Sequence, residues 1–206
     1  RQRHLTIPCE MCIRDREWMT HNPASGVELF GRQREYEPWP DWMVSQLASA
    51  PEDVRHLAEV ILWTGQRPNA AAEMKWSDVK GDRMSILDEK RNERFDVYAP
   101  EGFVAFLETV PRKGQHIIAK SLRAPVGHHA LSRHFRDWRD GLGPTAAPYV
   151  LHGLRKLAIV RLAEAGWTDA EIQAATNQSA QMVAYYRQKA NRVAMTRNAR
   201  ERSKNK

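Results

Sequence analysis

His152-Gly-Leu-Arg155 places an imidazole and a guanidinium three residues apart. In a helix, positions i and i+3 share a face, so both groups can reach one target. A phosphodiester suits the pair: the guanidinium forks onto two oxygens, and the imidazole donates or moves a proton. A surface charge pair on an amphipathic helix would have the same spacing. Tyr185-Tyr186 supplies two phenolic hydroxyls downstream, and Thr64-Gly-Gln-Arg67 supplies a second arginine upstream. Taken alone, an arginine such as Arg67 at a helix elbow reads equally well as a tether for exposed carbonyls. Lys90-Arg91-Asn92 adds cationic groups at the bend of a strand pair. No Walker loop or GxSxG elbow is visible, and the acids are too scattered to suggest a two-metal centre.

Helical elements must hold most of these groups. Apolar periodicity begins at Pro40, with Trp42, Met43 and Leu47, and Asp41 is placed to cap the first helix. A second helix starts at the acidic Pro51-Glu-Asp and carries Val54, Leu57, Ala58, Val60, Ile61 and Leu62 to the stop Thr64-Gly65. Residues Ala70 to Lys75 read as a short helix with Pro68 near its start. Lys80-Gly-Asp82 reads as a turn. Arg83–Leu87 and Arg94–Tyr98 read as a hairpin, and Gly102–Val110 as another helix. His116–Lys120 is extended or loop. His128–Leu142 is helical, and its Arg133, Arg136 and Arg139 recur on one face, either solvated or tracking phosphates. Gly141–Pro148 is a loop leading to a helix that begins near His152 and stops at Gly166. Thr168 and Glu171 then form a capping box for the next helix. These elements predict a mainly α protein with a small antiparallel β-sheet, an α+β domain.

Composition sets the outer limits. The chain has 206 residues, 42% of them hydrophobic, and a net charge of +7. That length suits one large domain, or a domain with a fragment of another, and the charge favours a polyanionic partner. No apolar run is long enough to cross a membrane, and the first residues lack a signal-peptide pattern. Two cysteines give no disulfide framework and suit a reducing cytoplasm. Cys9-Glu-Met-Cys12 with His4 and His21 supplies only half of a zinc pattern, so no metal is expected. Residues 11–16 fit their flanks poorly and read as a joining artefact. Gly31–Pro40, charged and proline-bearing, reads as a domain boundary.

The ordered set Arg67 in TGQR, Lys90 at a hairpin, His152 and Arg155 in HGLR, and Tyr186 near the end resembles the tyrosine recombinase (phage integrase) family, specifically its C-terminal catalytic domain. The resemblance runs from about Glu37 to Ala199. It takes in WSDV, HFRDWRDGLG, HGLRK and RLAEAGWTDAEIQAATNQS. It implies a catalytic domain over 37–206, preceded at 1–36 by a remnant of a core-binding domain and a linker. It also implies that Arg67 and Arg155 bind the scissile phosphate, that His152 contacts it and transfers a proton, and that Lys90 protonates the leaving 5′ oxygen. Arg91 is the alternative to Lys90. The family's GHxS motif reads here Thr176-Asn177-Gln178-Ser179, which puts the nucleophile at Tyr186 and leaves Tyr185 as the neighbour that packs. Arg91, Arg133, Arg136 and Lys156 are implied DNA contacts.

Two positions depart from the pattern. Asn177 stands where a histidine or tryptophan is usual, and an amide donates a hydrogen bond but carries no charge. Ala70 stands where many members carry an acid after the first arginine, so the support for Arg67 must come from elsewhere. The implied activity is site-specific DNA integration or excision, for a phage or other mobile element, through a 3′-phosphotyrosyl intermediate. It uses no cofactor and no metal. Double-stranded DNA is the implied partner, with a homotetramer on DNA, a monomer off it, and a cytoplasmic setting. A type IB topoisomerase-like enzyme and a catalytically weakened DNA-binding relative are the alternatives.

Overall fold

The computed structural model describes residues 36–88 and 92–204. From Tyr36 onward they form one compact unit. Helix α1 (Asp41–Ser45) runs into a 3-10 turn at Gln46–Ser49, and α2 spans Glu52–Thr64. Asp41 is the first residue of α1, and Pro40 occupies the cap position without a side-chain bond. Glu52 and Asp53 fill the first turn of α2, where the helix dipole favours acids. Helix α3 is shorter than its sequence suggests, Pro68–Ala72, because the chain turns away at Glu73 to reach the sheet.

The sheet is a three-stranded antiparallel meander of β1 (Val79–Lys80), β2 (Arg83–Asp88) and β3 (Glu93–Tyr98). Only two of these strands are legible in the sequence. β1 is a two-residue pairing, Val79 with Met84 and Lys80 with Arg83, too short to show a period. In β2 the side chains alternate as the pleat requires, with Met84, Ile86 and Asp88 turned inward. The β2–β3 register closes on Asp88 opposite Glu93.

Helices α4 (Glu101–Thr109) and α5 (His128–Gly141) follow, then α6 (Leu151–Glu164), α7 (Asp169–Thr176), α8 (Ala180–Arg187) and α9 (Arg192–Lys204). Helix α6 is the central post of the domain. It has no solvated stripe: Leu151, Leu154, Leu157, Ala158, Ile159, Val160 and Ala163 are buried around its circumference. A helix covered around its circumference from Gly153 to Val160 must sit inside other elements, and α2, α7, α8 and α9 all pack on it. Its entry is fixed by the segment just before α1. A Cβ at Gly153 would lie 2.3 Å from the Glu37 carbonyl oxygen, and Trp39 Nε1 donates to the Val150 carbonyl at 2.8 Å. The capping box at α7 forms as its sequence indicates. Thr168 accepts from the Glu171 amide at 3.3 Å, and the Glu171 carboxylate accepts from the Thr168 amide at 2.6 Å.

Candidate active site

Gly65 is where the separate pieces meet. It ends α2 in the left-handed conformation, φ 62°, which only glycine adopts without strain. A side chain there would also collide with Thr176, whose Cγ2 lies 2.6 Å from an added Cβ. Thr176 is the last residue of α7, so this close approach sets Asn177 beside the Thr64–Arg67 elbow. From the other side, Arg155 Nη1 donates to the Gly65 carbonyl at 2.6 Å. One glycine therefore ties together the turn bearing Arg67, the helix bearing Arg155 and the loop bearing Asn177.

The two arginines sit differently. Arg155 is 4% exposed, so the surface-pair reading of HGLR does not hold for it. Arg67 is a quarter exposed at its side chain and pairs with Asp88, Nη1 to Oδ1 at 3.3 Å. The other oxygen of Asp88 accepts from Asn177 Nδ2 at 2.9 Å. Asn177 is itself left-handed, φ 48°, as the residue that terminates α7. Asparagine is one of the few side-chain-bearing residues that tolerates this region.

Tyr186 lies on α8 and is the buried member of the tyrosine pair, 1% exposed against 39% for Tyr185. This reverses the expected arrangement, in which Tyr185 packs. Tyr186 Oη donates to the Tyr36 carbonyl at 2.9 Å. The Tyr36 ring lies 4.7 Å from the His152 ring, so the histidine and the tyrosine hydroxyl border the same short segment. Lys156 is buried as well. Its ammonium sits over the Tyr186 ring at 4.8 Å and donates to Gln178 Oε1 at 3.4 Å. The site expected to meet DNA directly thus faces the tyrosine instead. Lys189 binds Glu37 at 2.7 Å and approaches both tyrosine rings.

Arg133 and Arg136 are exposed on α5, in keeping with a basic face. Arg139 departs from that face: it lies over the Phe135 ring and donates to Asp140 and to the Tyr149 carbonyl. Lys90 and Arg91 lie outside the described residues, as does the Cys9–Cys12 pair with His4 and His21. No group of three metal-binding side chains occurs among the described residues.

Sequence reasoning missed Asp88, Gln178 and Tyr36. Asp88 had a readable signal. Its parity with Met84 and Ile86 turns a carboxylate toward the core, where a charge requires partners. The Tyr36 carbonyl has no such signal, because any residue would supply it.

The fold matches those of solved recombinases. A lambda integrase dimer bound to a COC′ core site superposes with a TM-score of 0.67 at 23% identity, over 85% of this chain and 54% of that one. The chain therefore spans about half the length of that integrase. The lambda integrase catalytic core matches at 0.57 and 26% identity, over 69% of this chain and 91% of that one. XerA recombinase matches at 0.57 and 17% identity, over 84% and 67%. A search of curated proteins finds no sequence match. The profile of the phage integrase family matches residues 43–192, most of the chain. The chain belongs to the phage integrase family, and its fold is that of the integrase catalytic core.

Proposed function

We propose that this chain catalyses site-specific DNA strand exchange with Tyr186 as nucleophile. The observation that carries the reading is the junction at Gly65, where the Arg155 guanidinium reaches within two residues of Arg67 and α7 delivers Asn177 to the same place. Two guanidiniums and an amide beside one another suit a tetrahedral phosphate whose non-bridging oxygens gain charge during attack.

In the proposed step, the Tyr186 hydroxyl leaves the Tyr36 carbonyl, passes its proton to the His152 imidazole and attacks the phosphorus. The bond to the 5′ oxygen breaks, and that oxygen takes a proton, from Lys90 in this reading. The tyrosine is left joined to the 3′ phosphate. A 5′-hydroxyl of another strand then reverses the step. One phosphoester is exchanged for another, so neither ATP nor a metal is invoked. Tyrosine has a reference pKa of about 10, and its attack needs cationic surroundings. Lys156, held against the ring, supplies part of them.

Double-stranded DNA is the proposed substrate, with Arg133 and Arg136 following its phosphates. Structural neighbours bound to DNA, and a lambda integrase tetramer bound to a Holliday junction, support this and a tetrameric working form. The proposed setting is a phage or other mobile element, in the cytoplasm. Relaxation of supercoiled plasmid without a preferred site would favour the topoisomerase-like alternative. The burial of Tyr186 favours a binding-only relative as the second reading.

Incubation with a nicked suicide substrate tests the proposal. The expected result is a covalent protein–DNA adduct, retained in Tyr185→Phe and absent in Tyr186→Phe. Retention of duplex binding with no adduct would establish the binding-only relative instead.

A further inference from the structure

Asp88 is an acid with no role in the mechanism above, yet it touches two of that mechanism's donors. It lies at the last position of β2 on the inward face, with its side chain 10% exposed. A carboxylate there is costly unless it is paired and hydrogen-bonded. Its two oxygens meet two of the site's donors: Oδ1 faces Arg67 Nη1 at 3.3 Å, and Oδ2 accepts from Asn177 Nδ2 at 2.9 Å. The two partners come from elements far apart in sequence, the start of α3 and the end of α7, and the strand end clamps them side by side.

The geometry of each contact leaves donor capacity unused by Asp88. Arginine presents five N–H groups in a planar fork, and only one nitrogen of Arg67 meets the carboxylate, at a long distance. A side-on, two-nitrogen pairing would have closed the fork to any other anion. The Asn177 amide nitrogen carries two hydrogens, and a single bond to Asp88 fixes its plane while requiring only one of them. Ala70, one helical turn beyond Arg67, has no carboxylate to offer, so this orienting charge comes from the sheet rather than from α3.

We infer that Asp88 is the positioning residue for the phosphate site, aiming Arg67 and Asn177 at one anion. The inference rests on the recombinase reading proposed above. It assigns Asn177 a defined place in the site: its amide takes orientation from Asp88.

The test compares single-turnover cleavage at saturating DNA, duplex affinity and thermal unfolding for the wild-type chain, Asp88→Ala, Asp88→Glu, Asn177→Ala and Asp88→Ala with Asn177→Ala. Misplacement of phosphate donors costs about 10- to 100-fold in the chemical step. Asp88→Ala is therefore expected to slow cleavage by that order while weakening duplex binding by a measurably smaller factor, and Asp88→Glu is expected to recover part of the rate. The double variant is expected to lose clearly less than the product of the two single losses. Losses that multiply, or a fall in rate that merely follows a fall in unfolding temperature, would overturn the assignment. If the wild-type chain forms no adduct, the recombinase reading fails separately, and the positioning claim is judged on duplex binding. Non-additive weakening by Asp88→Ala and Arg67→Ala supports it there, and additive weakening overturns it.

Discussion

Gly65 has the narrowest tolerance of any residue in the site. Its positive φ disfavours residues with a side chain, and the approach of Thr176 excludes them on steric grounds. Gly65→Ala is expected to lower stability by roughly 1–3 kcal/mol, the range for a side chain held in the left-handed region, and to push the end of α7 away from the elbow. Thermal unfolding together with duplex affinity measures both effects. At this scale residue types and spacing single out Arg67, His152, Arg155 and Tyr186 as candidates, because their order along the chain is distinctive, and the fold brings Arg155 to the elbow that bears Arg67. The groups that hold them are less legible. A backbone carbonyl such as that of Gly65 or Tyr36 carries no residue-specific mark, and Asp88 is marked only by its parity with Met84 and Ile86.

Helix α6 does the positioning, and its neighbours determine what its charged residues can touch. Because packing surrounds it, Arg155 and Lys156 point into the protein and bind the elbow, Gln178 and the Tyr186 ring. Periodicity alone gave the extent of this helix but not its environment. Leu154, Leu157 and Ala158 share one face, and the folded chain buries Arg155, Lys156, Ile159 and Val160 as well. Turns and caps were more legible, since they depend on neighbours in sequence. Thr168 and Glu171 bond reciprocally, and the Glu171 carboxylate is held below its ordinary range, chiefly by the Thr168 amide. Thr168→Ala is expected to cost about 1 kcal/mol, the usual loss on removing an N-cap. Urea unfolding would detect it. Since α7 ends at Asn177, fraying at its start also loosens the site at its far end.

Among the described residues, the core between α2, α6 and the sheet is apolar; His116 is buried in the fold and His56 is half-buried on α2. Burial holds the His56 and His116 imidazoles below their usual range. Around His56, Glu52 and Asp53 pull its pKa back up, while Arg55 and Lys113 depress it further. His116 has Glu73 at 4.0 Å, its Nδ1 is buried without a hydrogen-bond partner, and Lys75 also disfavours its charge. An imidazole depressed in the folded state binds its proton more readily when unfolded. These histidines therefore leave stability intact above about pH 6.5, their unfolded value, and reduce it as the pH falls below that. Unfolding midpoints measured between pH 5 and 8 should show this decline, and His56→Gln with His116→Gln should flatten it.

Convergence of elements far apart in sequence makes Tyr186, and no other residue, the one expected to become linked to DNA. Trapping the adduct on a suicide substrate, digesting it and sequencing the DNA-bearing peptide by mass spectrometry measures this directly. A phosphodinucleotide remnant is expected on Tyr186, within the stretch of α8 that follows Asn177. A remnant on Tyr185, or on any residue outside α8, would contradict it.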